Sequence, residues 1–347
     1  INHITAFIQN KIRYLGDWKT TEKGFYPREI KTVLETQYGD CKDFSALTIA
    51  MLREVGFTAK FVLVNRGEIS GNHKYILPIR SAFNHAMVYA KSSDGKVYWI
   101  DPTNSVSMAN GIFPDIADRY ALVLDIKDSL YTKIPAINFE TNKINIDSIY
   151  KLKSKGLTKE TNASFFNESA ISMTGATLFV HKDIIEDYIY STFTEENVDK
   201  KNRIKTVIPD LNSRIVKNIN LEIQYNVTYP YAKTNAGKAL SLSSYVSDYP
   251  KDSISDIYLG SPHTFVKKYT FDKEVLNIDS LNVEISTPWV NLSRKGSIES
   301  GKTIIVEEFV IKKSYLIKKD RESKQYQAFK NDVNTHFRKS LLIFPEN

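Results

Sequence analysis

A single cysteine lies in the stretch 38–47 (YGDCKDFSAL), where the sequence predicts the start of a helix. Asp40 suits the N-cap position, and Asp43, three residues later, gives a pattern close to a capping box. Cys41 would then occupy the first turn, where free backbone N–H groups and the positive end of the helix dipole favour the nucleophilic thiolate. Taken alone, this stretch also allows a second interpretation, in which Cys41 is a small buried hydrophobic residue.

A histidine and an aspartate follow on two segments that are typical of neighbouring β-strands. Residues 83–90 (FNHAMVYA) and 96–103 (KVYWIDPT) are rich in β-branched and aromatic residues, and a turn sequence, SSDG, separates them. In nucleophilic acyl transfer a thiolate attacks a carbonyl carbon, an imidazole moves the proton, and a carboxylate orients the imidazole. Cys41, His85 and Asp101 could supply these groups. Taken singly, His85 also fits a hydrogen-bonded core histidine, and Asp101 fits a turn residue at a strand end.

The register of this hairpin decides whether the histidine and the aspartate can touch. A three-residue loop pairs Ser92 with Lys96 and makes His85 and Asp101 diagonal neighbours on one face, whereas a two-residue turn separates them. Gly95 suits the left-handed position of the longer loop, which we therefore predict. The alternation of side chains then assigns Met87, Tyr89, Val97 and Trp99 to the face of the predicted site, and Val88, Tyr98 and Ile100 to the other.

Apolar periodicity places helices and a further strand around the cysteine. Residues 4–15 and 28–35 predict two short helices, and the apolar positions of 44–55 give the cysteine helix one buried face. Residues 59–64 predict a strand. Residues 65–81 contain two glycines and a proline, so we expect an exposed loop that shapes access to the site.

These motifs together resemble the bacterial transglutaminase-like core. The resemblance lies in YGDCKD, FNH and WIDPT, with NKIRY upstream at 10–14, and it covers about the first 135 residues. It implies a papain-like α+β fold in which Cys41 is the nucleophile, His85 the base and Asp101 the orienting acid, without a cofactor or metal. Asp40 stands where animal transglutaminases usually carry glutamine, so their substrate and their calcium dependence are not carried over.

The pattern of apolar residues along the sequence changes after residue 135. Helical periodicity becomes less frequent, and most apolar runs are typical of strands. The sequence therefore predicts an α+β protein with two domains, a core at 1–135 and an antiparallel β-rich domain at 136–347. Strands are predicted at 176–180, 221–227, 281–285 and 303–311, and two helices at 182–201 and 322–341.

Composition excludes several classes of protein. The 347 residues carry a net charge of +7, with lysines spread along the chain, and they contain no recognisable nucleic-acid-binding module. No apolar run reaches the length of a membrane span. One cysteine permits no intramolecular disulfide. His181, His263 and His336 lack close histidine or cysteine partners in sequence, so we interpret them as structural or surface residues, not metal ligands.

The sequence thus predicts thiol-dependent acyl transfer or hydrolysis on amide groups of a protein or peptide substrate. Two alternatives remain open: a cysteine peptidase or amidase that uses water as acceptor, and a non-enzymatic binding module. The β-rich domain has no catalytic set of its own, so we expect it to bind a partner, which the resemblance suggests is an envelope protein in an extracytoplasmic setting. Because the chain begins with Ile1, we expect a mature form or a fragment.

Overall fold

The computed structural model divides the chain into two compact units. Unit 1 comprises Ile1–Ile137 with the later segments Ile171–Leu178 and Leu211–Lys217, and unit 2 comprises Asn138–Ala170, Phe179–Asp210 and Asn218–Asn347. The sequence predicts a division into 1–135 and 136–347, in which no later segment returns to the first unit. The residues that the structure describes are 1–16, 26–67, 82–181, 184–194, 198–209, 213–243, 256–337 and 339–346.

Unit 1 is built on a five-stranded antiparallel sheet with the strand order β5-β4-β3-β6-β7. The predicted loop at 65–81 lies mostly outside the described residues. The elements of the unit are α1 (Asn2–Lys11), β1 (Arg13–Tyr14), α2 (Ile30–Thr36), β2 (Tyr38–Gly39), α3 (Cys41–Glu54), β3 (Thr58–Val64), β4 (His85–Lys91), β5 (Val97–Ile100), β6 (Tyr120–Val123) and β7 (Leu130–Lys133).

The helices predicted around the cysteine are present, with one shorter than expected. The predicted helix at 4–15 ends at Lys11, because Arg13 and Tyr14 pair in parallel with Tyr38 and Gly39. The cysteine helix α3 buries Phe44 and Leu47 in one core cluster and Ile49 and Leu52 in another. Val55, the last apolar position of the predicted range, is exposed. Gly56 follows the end of α3 and has a φ of +89°, a conformation that glycine adopts without steric cost.

Two segments from later in the chain complete unit 1. Ile171, Leu178 and Val216 pack against the core cluster that contains Val62 and Met87. The strand-like run predicted at 176–180 is wrong: residues up to 179 belong to helix α4 (Ser169–Phe179), in which Ala170, Met173 and Thr174 are buried at helical spacing.

The segment 213–217 is fixed to unit 1 by backbone hydrogen bonds. Ser107 N–H donates to Arg214 O at 2.7 Å, and Val216 N–H donates to Ser107 O at 2.9 Å. The Arg214 guanidinium also donates to Asn10 Oδ1 at 2.6 Å and to Ser105 O at 2.7 Å. Arg214 therefore ties this segment to both the first helix and the chain that follows β5.

Unit 2 is β-rich, and its main sheet has eight strands in the order β10-β11-β9-β8-β15-β18-β17-β16. A three-stranded sheet, β12-β13-β20, and a two-stranded pair, β14-β19, accompany it. The strands are β8 (Lys143–Leu152), β9 (Gly156–Phe166), β10 (Arg203–Val207), β11 (Ile219–Thr228), β12 (Ala232–Thr234), β13 (Gly237–Ser243), β14 (Ile257–Tyr258), β15 (His263–Phe271), β16 (Val283–Ser286), β17 (Val290–Glu299), β18 (Lys302–Ile311), β19 (Tyr315–Leu316) and β20 (Lys339–Phe344).

Two features of unit 2 differ from the prediction. The main sheet is mixed, not purely antiparallel, because β8 and β15 pair in parallel. Within the predicted helical ranges lie α5 (Ile185–Phe193) and α7 (Lys324–Asp332), and a short helix, α6 (Lys318–Arg321), precedes the latter. The predicted second helix, 322–341, ends early: a π-helical turn, Val333–Phe337, leads into β20, whose register against β13 pairs Leu341 with Ser241.

Candidate active site

Cys41 is the first residue of α3 and is partly exposed. The predicted capping box is present: the Asp40 carboxylate accepts from Lys42 N–H at 2.9 Å and from Asp43 N–H at 3.4 Å. In return, Asp43 Oδ2 accepts from Asp40 N–H at 3.0 Å. Phe44 N–H donates to Asp40 O. Among the described residues, the Cys41 N–H is therefore the one donor of the first turn left for a ligand.

The helix start is held from outside by an arginine. Asp43 is buried and accepts from the Arg28 backbone N–H at 2.8 Å and from its guanidinium at 2.9 and 3.1 Å. The same guanidinium lies 4.4 Å from the centre of the Tyr38 ring. A Cβ atom at Gly39 would lie 2.7 Å from Asp43 Cβ, so only glycine allows this close approach. These contacts fix the backbone immediately before Cys41.

The hairpin that carries the other two candidate residues has the predicted register. Val88 pairs with Ile100 and Tyr89 with Trp99, as the three-residue loop requires. Gly95 has a φ of +89°, which is the left-handed conformation that this loop needs. His85 Nε2 lies 2.9 Å from Asp101 Oδ2. Because an ionised carboxylate can only accept a hydrogen bond, Nε2 carries a proton and donates a hydrogen bond to Asp101.

The two faces of the hairpin separate as predicted, but the cysteine helix packs on the face opposite to the one expected. Met87, Trp99 and Tyr89 belong to one core cluster. Val88 and Ile100 belong to another, together with Ile49 and Leu52 of α3. His85 is the first residue of β4, so the start of the helix meets the imidazole at the end of the strand and not across the middle of a face.

The electrostatics of His85 favour the imidazolium. Burial by itself lowers the pKa of His85, but hydrogen bonds to Asp101 and to Cys41, with the charges of both, raise it from 6.5 to about 9. For Asp101, whose side chain is completely buried, desolvation raises the pKa, but the hydrogen bond from His85 and the charges of His85 and Arg66 bring it below the ordinary value. Thr103 adds two donors to Asp101 Oδ1, its backbone N–H at 3.0 Å and its hydroxyl at 2.7 Å.

Two residues near the site are not among the predicted site residues, although Tyr14 belongs to the upstream motif at 10–14. Arg66 lies just after β3, and its Nη1 is 3.2 Å from Asp101 Oδ2. Tyr14 lines the same cavity as Cys41, and its ring meets Phe44 edge-to-face at 5.6 Å. Burial and the negative charges of Cys41 and Asp40 raise the pKa of Tyr14 to about 12, so its hydroxyl keeps its proton at neutral pH.

Described residues enclose a cavity of about 330 Å³ beside Cys41 and His85. Besides Cys41 and His85, the charged residues of the described lining are Asp40 and Lys42, which form an ion pair with each other. Asn84 also lines the cavity, but its amide oxygen and its amide nitrogen are both hydrogen-bonded to the Arg66 backbone. Most of the remaining described lining is apolar or aromatic: Tyr26, Pro27, Phe61, Leu63, Phe83 and Leu124.

The model of the transglutaminase-like superfamily matches residues 1–102, which span Cys41, His85 and Asp101. Residues 1–102 are thus similar in sequence to that superfamily. The predicted resemblance of the cysteine, histidine and aspartate motifs to that superfamily is thereby confirmed. Together with the mixed helices and strands of the fold, the match agrees with the α+β class.

The search of solved structures found a crystal structure described as a "putative protease" from Parabacteroides distasonis. It is 14% identical in sequence and superposes with a TM-score of 0.48, over 99% of this chain. The chain spans about half, 51%, of the length of that protein. A similarity of this level carries no argument about function. No curated protein matched the sequence.

The part of the chain that the structure describes holds neither a cluster of metal-ligating side chains nor a helix that could span a membrane. No group of three or more histidine, cysteine, aspartate or glutamate side chains there is arranged to hold a metal ion. None of the helices found in the same residues combines the length and the apolar character needed to cross a bilayer.

Proposed function

We propose that unit 1 is a thiol-dependent enzyme that transfers the acyl group of protein or peptide amides through a Cys-His-Asp triad. The observation that carries this proposal is the position of His85, whose Nε2 lies 2.9 Å from the buried carboxylate of Asp101 and which lines one cavity together with Cys41. Cys41 is the nucleophile, His85 the proton carrier and Asp101 the group that orients the imidazole and stabilises its cation.

In the first half of the reaction, the Cys41 thiolate forms a C–S bond to the amide carbonyl carbon. The carbonyl oxygen takes up the negative charge, and we assign the Cys41 N–H and the Tyr14 hydroxyl, which belong to residues lining the same cavity, as its donors. His85 then gives its proton to the amide nitrogen, the C–N bond breaks, and an amine leaves. A thioester remains on Cys41, and His85 is neutral.

In the second half, an acceptor attacks the thioester. Neutral His85 takes a proton from either water or a primary amine as that molecule bonds to the acyl carbon, and the C–S bond breaks to restore the thiolate and the imidazolium. Hydrolysis and transamidation therefore use the same protein groups. The choice between them depends on how far water is excluded from the cavity.

The lining of the cavity supports an apolar side chain next to the reacting carbonyl. Asp40 and Lys42 neutralise each other, so neither charge is available to a charged substrate side chain. The aromatic and aliphatic walls gain by burying an apolar group, and a charged group would lose its hydration there without a partner. A peptide amide with leucine or phenylalanine at that position is the substrate class that we propose.

Intact-mass spectrometry tests the proposal. The full chain is mixed with a panel of peptide amides that differ only in the residue carrying the reacting carbonyl, namely leucine, phenylalanine, glutamine, glutamate or lysine. We expect a thioester adduct on Cys41 with the apolar members. Addition of a fluorescent primary amine separates transamidation, which yields a labelled peptide, from hydrolysis, which yields an acid. Absence of any adduct at Cys41 across the panel would overturn the proposal.

The setting and the partner of the protein are further proposals, and they rest on the resemblance. We propose an extracytoplasmic location and an envelope protein that binds unit 2. Cell fractionation of the source organism, followed by cross-linking in intact cells, would test both. Recovery of the protein in the cytoplasmic fraction would contradict the location.

A further inference from the structure

Arg66 joins the candidate site to a second carboxylate. Its Nη1 lies 3.2 Å from Asp101 Oδ2 and donates to Thr103 Oγ1 at 2.7 Å. Its Nη2 donates to Asn104 Oδ1 at 2.9 Å, and its Nε donates to Asp115 Oδ2 at 2.5 Å. Every face of the guanidinium fork is therefore in use, and all four partners come from the chain after β5.

The backbone of Arg66 is fixed from the histidine side. Its N–H donates to Asn84 Oδ1 at 2.7 Å, and its carbonyl accepts from Asn84 Nδ2 at 2.9 Å. Asn84 is the residue immediately before His85. Arg66 thus holds the strand end that presents the imidazole and, through its side chain, the loop that presents Asp101.

We propose that Arg66 is a positioning residue that sets the orientation and the effective charge of Asp101, and thereby limits how tightly His85 holds its proton. The role as a part of catalysis rests on the proposed function, whereas the electrostatic role does not. Two cationic nitrogens, Arg66 Nη1 at 3.2 Å and His85 Nε2 at 2.9 Å, form ion pairs with the single oxygen Asp101 Oδ2. Each therefore weakens the hold of that oxygen on the other.

The sign of the effect follows from the alternating charges of Asp115, Arg66, Asp101 and His85. Removal of the Arg66 charge leaves Asp101 to His85 alone, so the pKa of His85 should rise. The two donor nitrogens lie at most about 6 Å apart because they contact the same oxygen, and at this distance a unit charge shifts a pKa by about one unit once Asp115 and solvent are allowed for. Removal of the Asp115 charge frees more of the Arg66 charge and should lower the pKa of His85.

Other ionisable groups face this cluster and stay constant in the comparison. Among the described residues they are Cys41, the Asp40–Lys42 ion pair at the start of α3, and Tyr14 on β1. Arg66 is the one cation bonded to Asp101 besides His85 in that part of the chain. A shift in His85 titration on substitution of Arg66 or Asp115 therefore reports on this branch of the site.

The test is the titration of His85 by NMR in the full chain labelled with ¹³C-histidine. The sequence has six histidines, so His85→Gln identifies the signal. We expect Arg66→Met to raise the pKa of His85 by about one unit and Asp115→Asn to lower it. Arg66→Lys keeps the charge, so we expect it to stay near the wild-type value. Shifts of opposite sign are not produced by a structural role alone.

The result that would overturn the proposal is a His85 pKa that stays unchanged, or that moves in the same direction, in Arg66→Met and Asp115→Asn. If Arg66→Met does not fold, the proposal still requires a lower pKa in Asp115→Asn and a nearly unchanged one in Arg66→Lys. The measurement needs no substrate. Absence of a thioester on Cys41 would thus contradict the proposed function, but it would not affect the test of the role of Arg66.

Discussion

Replacement of Asp101 by asparagine should lower the affinity of His85 for its proton. The substitution keeps the size of a side chain that is completely buried, but it removes the charge that faces His85 Nε2 at 2.9 Å. Asparagine can still accept a hydrogen bond from the ring through its amide oxygen. The orientation of the imidazole should therefore survive, while the stabilisation of its positive charge should not.

The size of the effect follows from the wild-type site. The pKa of His85 is raised from 6.5 to about 9, which corresponds to a stabilisation of the imidazolium by about 3 kcal/mol. Since burial opposes this shift, the bonds to Asp101 and Cys41 together supply more than that amount. With Cys41 as the remaining partner, we expect the pKa of His85 in Asp101→Asn to fall by at least about one unit.

The assay is the same histidine titration, together with the rate of thioester formation as a function of pH. Asp118→Asn is a matched control, because Asp118 is an exposed carboxylate paired with Lys133. We expect the control to titrate like the wild type. An unchanged His85 titration in Asp101→Asn would refute the reasoning, because it would mean that Asp101 does not carry the charge that stabilises the imidazolium.

The raised pKa of His85 also predicts how the free energy of unfolding depends on pH. The folded-state pKa of His85 lies above its unfolded value of 6.5, so its stabilising effect is complete below about pH 6.5 and is lost as the pH rises through about 9. The free energy of unfolding of the wild type should fall over this window by up to about 3 kcal/mol from this group. In Asp101→Asn the decline should be smaller by at least about 1.4 kcal/mol, which denaturant titrations at several pH values would measure.

Three further predictions concern the first turn of α3 and its neighbours. Cys41→Ala should abolish the thioester adduct in intact-mass spectra while changing the melting temperature little, because the side chain is partly exposed; a residual adduct would place the nucleophile elsewhere. Tyr14→Phe should lower kcat about tenfold or more with little change in KM, and an unchanged kcat would remove its hydroxyl from the oxyanion site. Gly39→Ala should cost about 1–3 kcal/mol of unfolding free energy in denaturant titrations, since the new Cβ would lie 2.7 Å from Asp43 Cβ; wild-type stability would show that this contact relaxes freely.

Local signals explain why much of the candidate site could be predicted from the sequence. The helix start depends on a capping pattern that spans four residues, Asp40 to Asp43, and the structure has both of its hydrogen bonds. The hairpin register depends on one loop, in which Gly95 adopts the left-handed conformation. Both features are decided within a few residues, so spacing and residue type are sufficient to read them.

The features that the sequence did not reveal depend on contacts between distant residues. Arg66 bonds to Thr103, Asn104 and Asp115, and nothing in its neighbours along the chain indicates those partners. The parallel pairing of β8 with β15 likewise joins strands that are far apart in sequence. Periodicity gives the type of an element and its buried face, but it does not give its partner.

The short run at 176–180 shows a second limit. Its apolar and β-branched residues are typical of a strand, yet they end a helix whose buried positions lie earlier, at Ala170 and Met173. A short apolar run does not by itself distinguish a strand from the end of a helix. Packing of Ile171 and Leu178 against the core of unit 1 decides the matter in favour of the helix.

The return of the segments Ile171–Leu178 and Leu211–Lys217 to unit 1 sets an order of events during synthesis. Domains generally fold as units while the chain leaves the ribosome. Cys41, His85 and Asp101 emerge first, but the apolar core beneath the sheet lacks Ile171, Leu178 and Val216 until the ribosome has passed Lys217. The nascent chain therefore carries its cysteine for more than a hundred residues of translation before the unit around it can close. Unit 1 around the thiol is therefore complete only after residues 211–217 have been made.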